Sequence, residues 1–147
     1  MVNKTGQCMC GAVTFTAHDM PDHFSMCHCK TCQRWVGSAF RGISVDSERL
    51  ELSGSENINT IQSSSFAERA NCKKCGSAIW FKLTTGLYEG NTSISLGLLD
   101  DTDGLTLKDE YFVDYVNSTN DMPNGRTQYS EADVEKIIAS FAIEDQK

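Results

Sequence analysis

All seven cysteines of this 147-residue chain fall in three tight clusters: Cys8-Met9-Cys10-Gly11, Cys27-His28-Cys29-Lys30-Thr31-Cys32 and Cys72-Lys73-Lys74-Cys75-Gly76. Thiolates two or three residues apart can grip one metal ion from a single turn, whereas a disulfide needs its partners at a set Cα separation and dihedral. The clustering therefore favours zinc. The odd count agrees, since complete pairing leaves one cysteine over. Two pairs and one triplet divide into a closed four-thiolate site and a three-thiolate site with one coordination position free, and a free position is what lets a metal do chemistry.

At this length the chain can bury a core of its own, and one domain spanning 1–147 is expected. Zinc still matters, because a structural site contributes on the order of 10 kcal/mol to folding, comparable with the net stability of an ordinary domain. Met1 to Gln7 contains no apolar stretch of the kind a secretory signal needs, and no window approaches the length of a membrane span. A cytoplasmic location and no membrane partner are expected, and in that reducing compartment thiols bind metal rather than pair. The formal charge of −7 argues against a nucleic-acid partner, since phosphate backbones are repelled. Charge is uneven, with eight Lys or Arg against six Asp or Glu in residues 23–99 and four against twelve in residues 100–147. A mildly basic metal region suits a small anionic ligand.

Gly11-Ala12-Val13-Thr14-Phe15-Thr16-Ala17 alternates apolar with polar or small residues and reads as a half-buried strand leaving the first cysteine pair. Phe24 to Met26 is expected to start a short strand that delivers the triplet. Further strands are expected over Phe40–Val45, Arg49–Leu52, Asn59–Ile61, Phe66–Ala70, Ser77–Leu83, Thr92–Leu98 and Tyr111–Val116, each bounded by turn residues. A mainly antiparallel β fold follows. A short helical turn is expected from Lys30 to Trp35. The clearest helix starts near Ser130, where Ser130-Glu131-Ala132-Asp133 resembles a capping box and Val134, Ile137, Ile138 and Phe141 follow at helical spacing.

In Cys8-Met9-Cys10 an extended backbone sends both thiols to one face and Met9 to the other. Gly11 and Gly76, each directly behind a cysteine, permit conformations that a Cβ resists. The pair Cys72-x-x-Cys75 has a redox dithiol as its competing reading, but no βαβ pattern surrounds it. Cys27, Cys29 and Cys32 supply three corners of a tetrahedron. His28 lies between two ligands of opposite phase, which turns its ring away from them; a Cys₃His site using His23 or His28 is the alternative to an open one. Lys30, Arg34 and Arg41 are the cations nearest the triplet in sequence, and Trp35, Phe40, Trp80 and Phe81 are candidates for a pocket wall or for core.

Gly6-Gln7-Cys8-x-Cys10-Gly11-Ala12-Val13, Cys27-His28-Cys29-x-x-Cys32 and Cys72-x-x-Cys75-Gly76, in that order, resemble the glutathione-dependent formaldehyde-activating enzyme family, which includes centromere-protein-V-like members. The resemblance runs from about Gly6 to Lys82 and continues weakly at Lys108-Asp109-Glu110-Tyr111-Phe112-Val113-Asp114. It implies a small antiparallel β-tent with zinc knuckles, completed here by a C-terminal helix. It implies that Cys8, Cys10, Cys72 and Cys75 hold a structural zinc, and that Cys27, Cys29 and Cys32 hold a second, catalytic one. The implied activity is that of a carbon–sulfur lyase of the S-(hydroxymethyl)glutathione synthase type, with glutathione or a similar small thiol as partner and formaldehyde as co-substrate.

Two other functions compete with it. A non-catalytic zinc-stabilised binding module needs both ions inert. A thiol-based zinc or redox sensor needs an accessible cysteine of low pKa that releases metal reversibly.

Overall fold

A computed structural model describes residues 1–144, which divide into two compact units, one of Met1–Val116 and one from Asn117 onward. The first unit is built from two sheets. Strands β1 (Val2–Gln7), β2 (Thr14–Met20) and β5 (Leu50–Ser53) form the smaller sheet in the order β1-β2-β5, antiparallel throughout. The larger sheet has seven strands in the order β10-β3-β4-β9-β8-β7-β6, built from β3 (His23–Cys27), β4 (Phe40–Asp46), β6 (Ile58–Ser64), β7 (Ala67–Cys72), β8 (Ala78–Leu83), β9 (Asn91–Ser95) and β10 (Thr106–Tyr111). Its neighbours are antiparallel except β10 and β3, which run parallel. The expected mainly antiparallel β architecture is what the chain adopts.

Alternation along the strands decides what fills the space between the sheets. Phe15 and Ala17 of β2 face inward at every second position, as do Ile43 and Val45 of β4, and with Met20, Ile94 and Leu99 they form one buried cluster. A second cluster joins Val13, Ala70, Ile79 and Trp80 to the thiols of Cys8 and Cys72, so two metal-ligand candidates are part of the core. The β7–β8 register shifts between Ala70 and Asn71, a bulge that lets the consecutive residues Ile79 and Trp80 both be buried.

The expected strand over Tyr111–Val116 lies further back in the chain. Pairing is over Thr106–Tyr111, and Val113–Tyr115 is a 3₁₀ turn entered through Phe112 at φ 59°. The apolar run drew the expectation forward, whereas the strand that pairs is polar, exposed and at the sheet edge. The Thr92–Leu98 segment is likewise strand only to Ser95; Leu96–Leu98 turns as a 3₁₀ helix, and Leu96 and Leu98 pack on the first cluster. Strand β1 was not expected. Helix α1 (Lys30–Val36) carries the last cysteine of the triplet and ends at Gly37, whose φ of 82° lets its amide donate to the Gln33 carbonyl.

In the second unit, helix α2 covers Glu131–Glu144. Its start is the capping box read from sequence: the Asp133 amide donates to Ser130 Oγ at 3.2 Å and the Ser130 amide to Asp133 Oδ2 at 2.9 Å. Among the described residues no helix is long and apolar enough to cross a membrane.

Gly54 joins β5 to a 3₁₀ turn at φ 81°, and a Cβ there would stand 1.9 Å from the Ala12 carbonyl oxygen in the loop that carries Cys8 and Cys10. Gly54→Ala is expected to cost about 2–4 kcal/mol, the sum of left-handed strain and overpacking. A lower urea midpoint checks this; an unchanged midpoint contradicts it.

Candidate metal centres

Two hairpin tips, one from each sheet, build the first centre. The β1–β2 tip folds with Cys8 and Val13 paired through the Cys8 amide and Val13 carbonyl at 3.0 Å, while the Gly11 amide donates to the Cys8 carbonyl at 3.0 Å. The β7–β8 tip repeats the plan, with the Cys72 amide on the Ser77 carbonyl and the Gly76 amide on the Cys72 carbonyl, both at 2.9 Å. Gly11 and Gly76 take φ values of 77° and 79°, the conformations for which glycine was expected behind each cysteine. Cys8-Met9-Cys10 turns rather than running extended, so the tight turn and not strand alternation brings the two thiols together. Met9 still points outward and is 77% exposed.

The four sulfurs of Cys8, Cys10, Cys72 and Cys75 lie within 4.8 Å of one another. Cys8 and Cys10 are 3.7 Å apart and Cys10 and Cys72 3.9 Å. Zinc–sulfur bonds of about 2.3 Å at tetrahedral angles demand edges of about 3.8 Å, so this donor set fits zinc. Amides and hydroxyls already aim at the sulfurs: the Val13 amide donates to Cys8 Sγ at 3.3 Å, and Ser77 Oγ, which accepts from the Met9 amide at 2.9 Å, lies 3.2 Å from Cys75 Sγ. The Ser77 hydroxyl and then its backbone amide hold the Cys75 thiol down at about 5. At Cys10 the Ala12 amide pulls downward, but burial and the neighbouring thiols outweigh it and push that thiol up to about 11. Cys8, against its burial and with the Val13 amide on its sulfur, is also held down, so Cys8 and Cys75 ionise more readily than Cys10, as thiols crowded around a place for a cation do.

The second centre is assembled by one strand end and one helical turn. Cys27 is the last residue of β3, Cys29 is the N-cap of α1, and Cys32 sits in its first turn. The Cys32 amide donates to Cys29 Sγ at 3.3 Å, so a thiol takes the place that a serine or aspartate oxygen usually fills. The three sulfurs lie within 4.8 Å of one another, and no histidine, aspartate, glutamate or fourth cysteine among the described residues joins them. His28 is buried and turned away, as its phase predicts, with Nε2 2.9 Å from Glu110 Oε1 on β10. His23 lies against Asp22 and His18 against Glu51. Donation from Cys32 holds the Cys27 thiol down at about 5 against its burial, and Cys32 is pushed upward in return.

Lys30, Arg34 and Arg41, the cations nearest the triplet in sequence, are all exposed. The cation at the site is Arg69 of β7, which was not among the candidates. It is only 5% exposed, and its Nη2 donates to Cys32 Sγ at 3.5 Å. Its guanidinium carbon lies 5.2 Å from the Trp35 ring centroid and 5.1 Å from that of Phe81, while Nη1 bonds Ser63 Oγ. Among the described residues no carboxylate forms an ion pair with it, and its Nε is buried without a partner. A buried guanidinium requires a counter-charge. The triplet offers one through Cys27, the thiol that Cys32 and, more weakly, the Arg69 charge itself hold down, and metal binding would draw the rest of the triplet into the thiolate form. Two of the four aromatic candidates flank this cation, Phe40 packs 5.1 Å from Trp35, and Trp80 belongs to the core. Arg69 alternates with Ala67 and lies three residues before the second cysteine pair, but the strand register that buries it is not written in the local sequence.

A mainly β protein with a four-thiol and a three-thiol cluster is the class that fold and site define. The family described as glutathione-dependent formaldehyde-activating enzyme matches residues 3–115, and the chain belongs to that family. It is 31% identical over 138 residues to an uncharacterized lyase of Schizosaccharomyces pombe, covering 94% of this chain and 98% of the relative. It is 33% identical over 85 residues to a protein of Halomonas elongata named as a glutathione-dependent formaldehyde-activating enzyme, covering 51% of this chain and 53% of that one. The crystal structure of a Rhodobacter sphaeroides protein superposes with a TM-score of 0.55 at 20% identity, covering 71% of this chain and 99% of the other, and shares the fold.

Proposed function

We propose that this chain is a zinc-dependent carbon–sulfur lyase that forms and cleaves the adduct of a small thiol, glutathione foremost, with formaldehyde. Cys8, Cys10, Cys72 and Cys75 would hold a structural zinc that ties the two hairpin tips together. Cys27, Cys29 and Cys32 would hold the second zinc. One observation carries the reading: within a family of this name, the triplet gathers three sulfurs while its nearest histidine is committed to Glu110. When bound at such a centre, zinc supplies a Lewis acid that favours the thiolate form of an incoming thiol.

The chain's own residues account for the rest. The α1 first turn fixes Cys29 and Cys32, and the β3 end fixes Cys27, so the donors are arranged before any ligand arrives. The His28–Glu110 bond keeps a competing imidazole out of the site. In the synthetic direction the thiol sulfur bonds to the carbonyl carbon, the carbonyl π pair moves to oxygen, and the proton lost by the thiol ends on that oxygen. The product is a hemithioacetal, and cleavage reverses each step. Holding sulfur and carbonyl together is the larger part of the acceleration, since both reactants are small and mobile.

The test is the rate of ¹³C-formaldehyde exchange with its glutathione adduct, followed by NMR with and without protein, and repeated with cysteine and 2-mercaptoethanol. Exchange faster than the spontaneous rate, and fastest with glutathione, is expected. Spontaneous rates with all three thiols overturn the reading and leave a non-catalytic zinc-stabilised module.

A further inference from the structure

We propose that Arg69 is a positioning residue whose charge tunes the Cys27–Cys29–Cys32 centre to accept an anionic fourth ligand, so that the site selects thiolates over neutral donors. The inference rests on the proposed function and adds the source of its ligand selectivity.

Charge bookkeeping at the centre leads there. Three thiolates around a divalent ion leave one net negative charge, which resists the approach of a further anion and favours water or imidazole. Arg69 cancels that charge from inside the protein, where four contacts fix it: Nη2 on Cys32 Sγ at 3.5 Å, Nη1 on Ser63, and the Trp35 and Phe81 rings, whose centroids lie 5.2 and 5.1 Å from its guanidinium carbon. A thiolate arriving as fourth ligand then meets a neutral site.

The construction is costly in ways that packing alone does not require. A guanidinium at 5% exposure with an unpartnered Nε gives up its hydration for no carboxylate partner among the described residues. A leucine or methionine would fill the gap between Trp35 and Phe81 without that penalty. The aromatic faces recover part of the cost through cation–π attraction, and they also shield the charge from water, which lengthens its reach toward the metal centre. The three exposed cations near the triplet in sequence, Lys30, Arg34 and Arg41, are screened by solvent and cannot take this part.

The experiment uses the full chain with cobalt in place of zinc, so that visible absorption reports the ligands of the triplet metal. Wild type, Arg69→Gln, Arg69→Met and Arg69→Lys are titrated separately with 2-mercaptoethanol, which has no carboxylate, and with imidazole, which is neutral. Far-UV circular dichroism and retention of the first metal ion establish that each variant folds.

Loss of the charge is expected to weaken mercaptan binding by about tenfold to a hundredfold, the scale of one unit charge acting across about 6–7 Å at an effective dielectric of about 20. Imidazole affinity should change less than about threefold, since a neutral ligand does not feel that charge to first order. Lysine should restore most of the mercaptan affinity, and glutamine should not, although it keeps a donor for Cys32. Should Arg69→Met fail to fold, Arg69→Gln carries the same comparison.

Equal losses for mercaptan and imidazole assign Arg69 a purely structural part and overturn the inference. So does an Arg69→Gln variant that binds mercaptan as wild type does; in that case the proposed function stands. A wild-type protein that binds the second cobalt and ignores mercaptan overturns both.

Discussion

Replacing Cys75 with serine is expected to unfold most of the unit formed by Met1–Val116. The four sulfurs of the first proposed centre come from hairpin tips of different sheets, and two of them, Cys8 and Cys72, are 1% and 0% exposed within the second core cluster. Breaking the set leaves three crowded thiols at the junction of the sheets with no ion to neutralise them. A structural zinc site contributes on the order of 10 kcal/mol, and a domain of this size has only about 5–15 kcal/mol in hand. The variant should bind one zinc fewer and lose its cooperative thermal transition, as followed by circular dichroism beside metal analysis. A melt that matches wild type would remove the four-thiol cluster from its proposed structural role.

Cys29→Ser should do the opposite: keep the fold and lose the chemistry. Cys29 is the N-cap of α1, its sulfur accepting from the Cys32 amide at 3.3 Å, and serine is among the best N-cap residues. The hydroxyl can take over that bond, so helix α1 should persist. It is a poor zinc ligand compared with a thiolate, and the triplet would fall to two sulfurs. Acceleration of thiol–formaldehyde exchange is expected to drop by at least about a hundredfold, with the second metal weakly held and the thermal midpoint within a few degrees of wild type. Because the same substitution at Cys75 is expected to unfold the protein, the pair of variants separates the two centres. Equal loss of folding in both would contradict the division of labour.

The two thiol clusters were legible in the sequence because their signal is local. Thiols two or three residues apart are close whatever joins them, so the cluster showed even though the Cys8–Cys10 pair is joined by a turn rather than the extended backbone expected, and Gly11 and Gly76 mark where the left-handed backbone falls. His28 was legible for the same reason, since phase alone turns it from its neighbours. The edges of the sheets were harder to read. β1 buries only Gly6, and β10 buries nothing, so neither carries the alternation that identifies a strand. Their pairing is dictated by neighbours, with β1 on β2 and β10 parallel to β3, partners that lie far along the chain in the second case. Arg69 was hidden by a different cause. Its side chain reaches Cys32 across 37 positions, through a strand whose register only the folded sheet defines, and an arginine in a sequence reads as solvated until that register places it indoors.

Cadmium-113 NMR of the full chain loaded with two cadmium ions interrogates the triplet most directly, because the chemical shift follows the number of sulfurs on each ion. Two resonances are expected, and on addition of glutathione one of them should move downfield as a fourth sulfur arrives while the other stays fixed. Two resonances that both hold their positions under saturating glutathione would show that Cys27, Cys29 and Cys32 do not present a metal to an outside thiol.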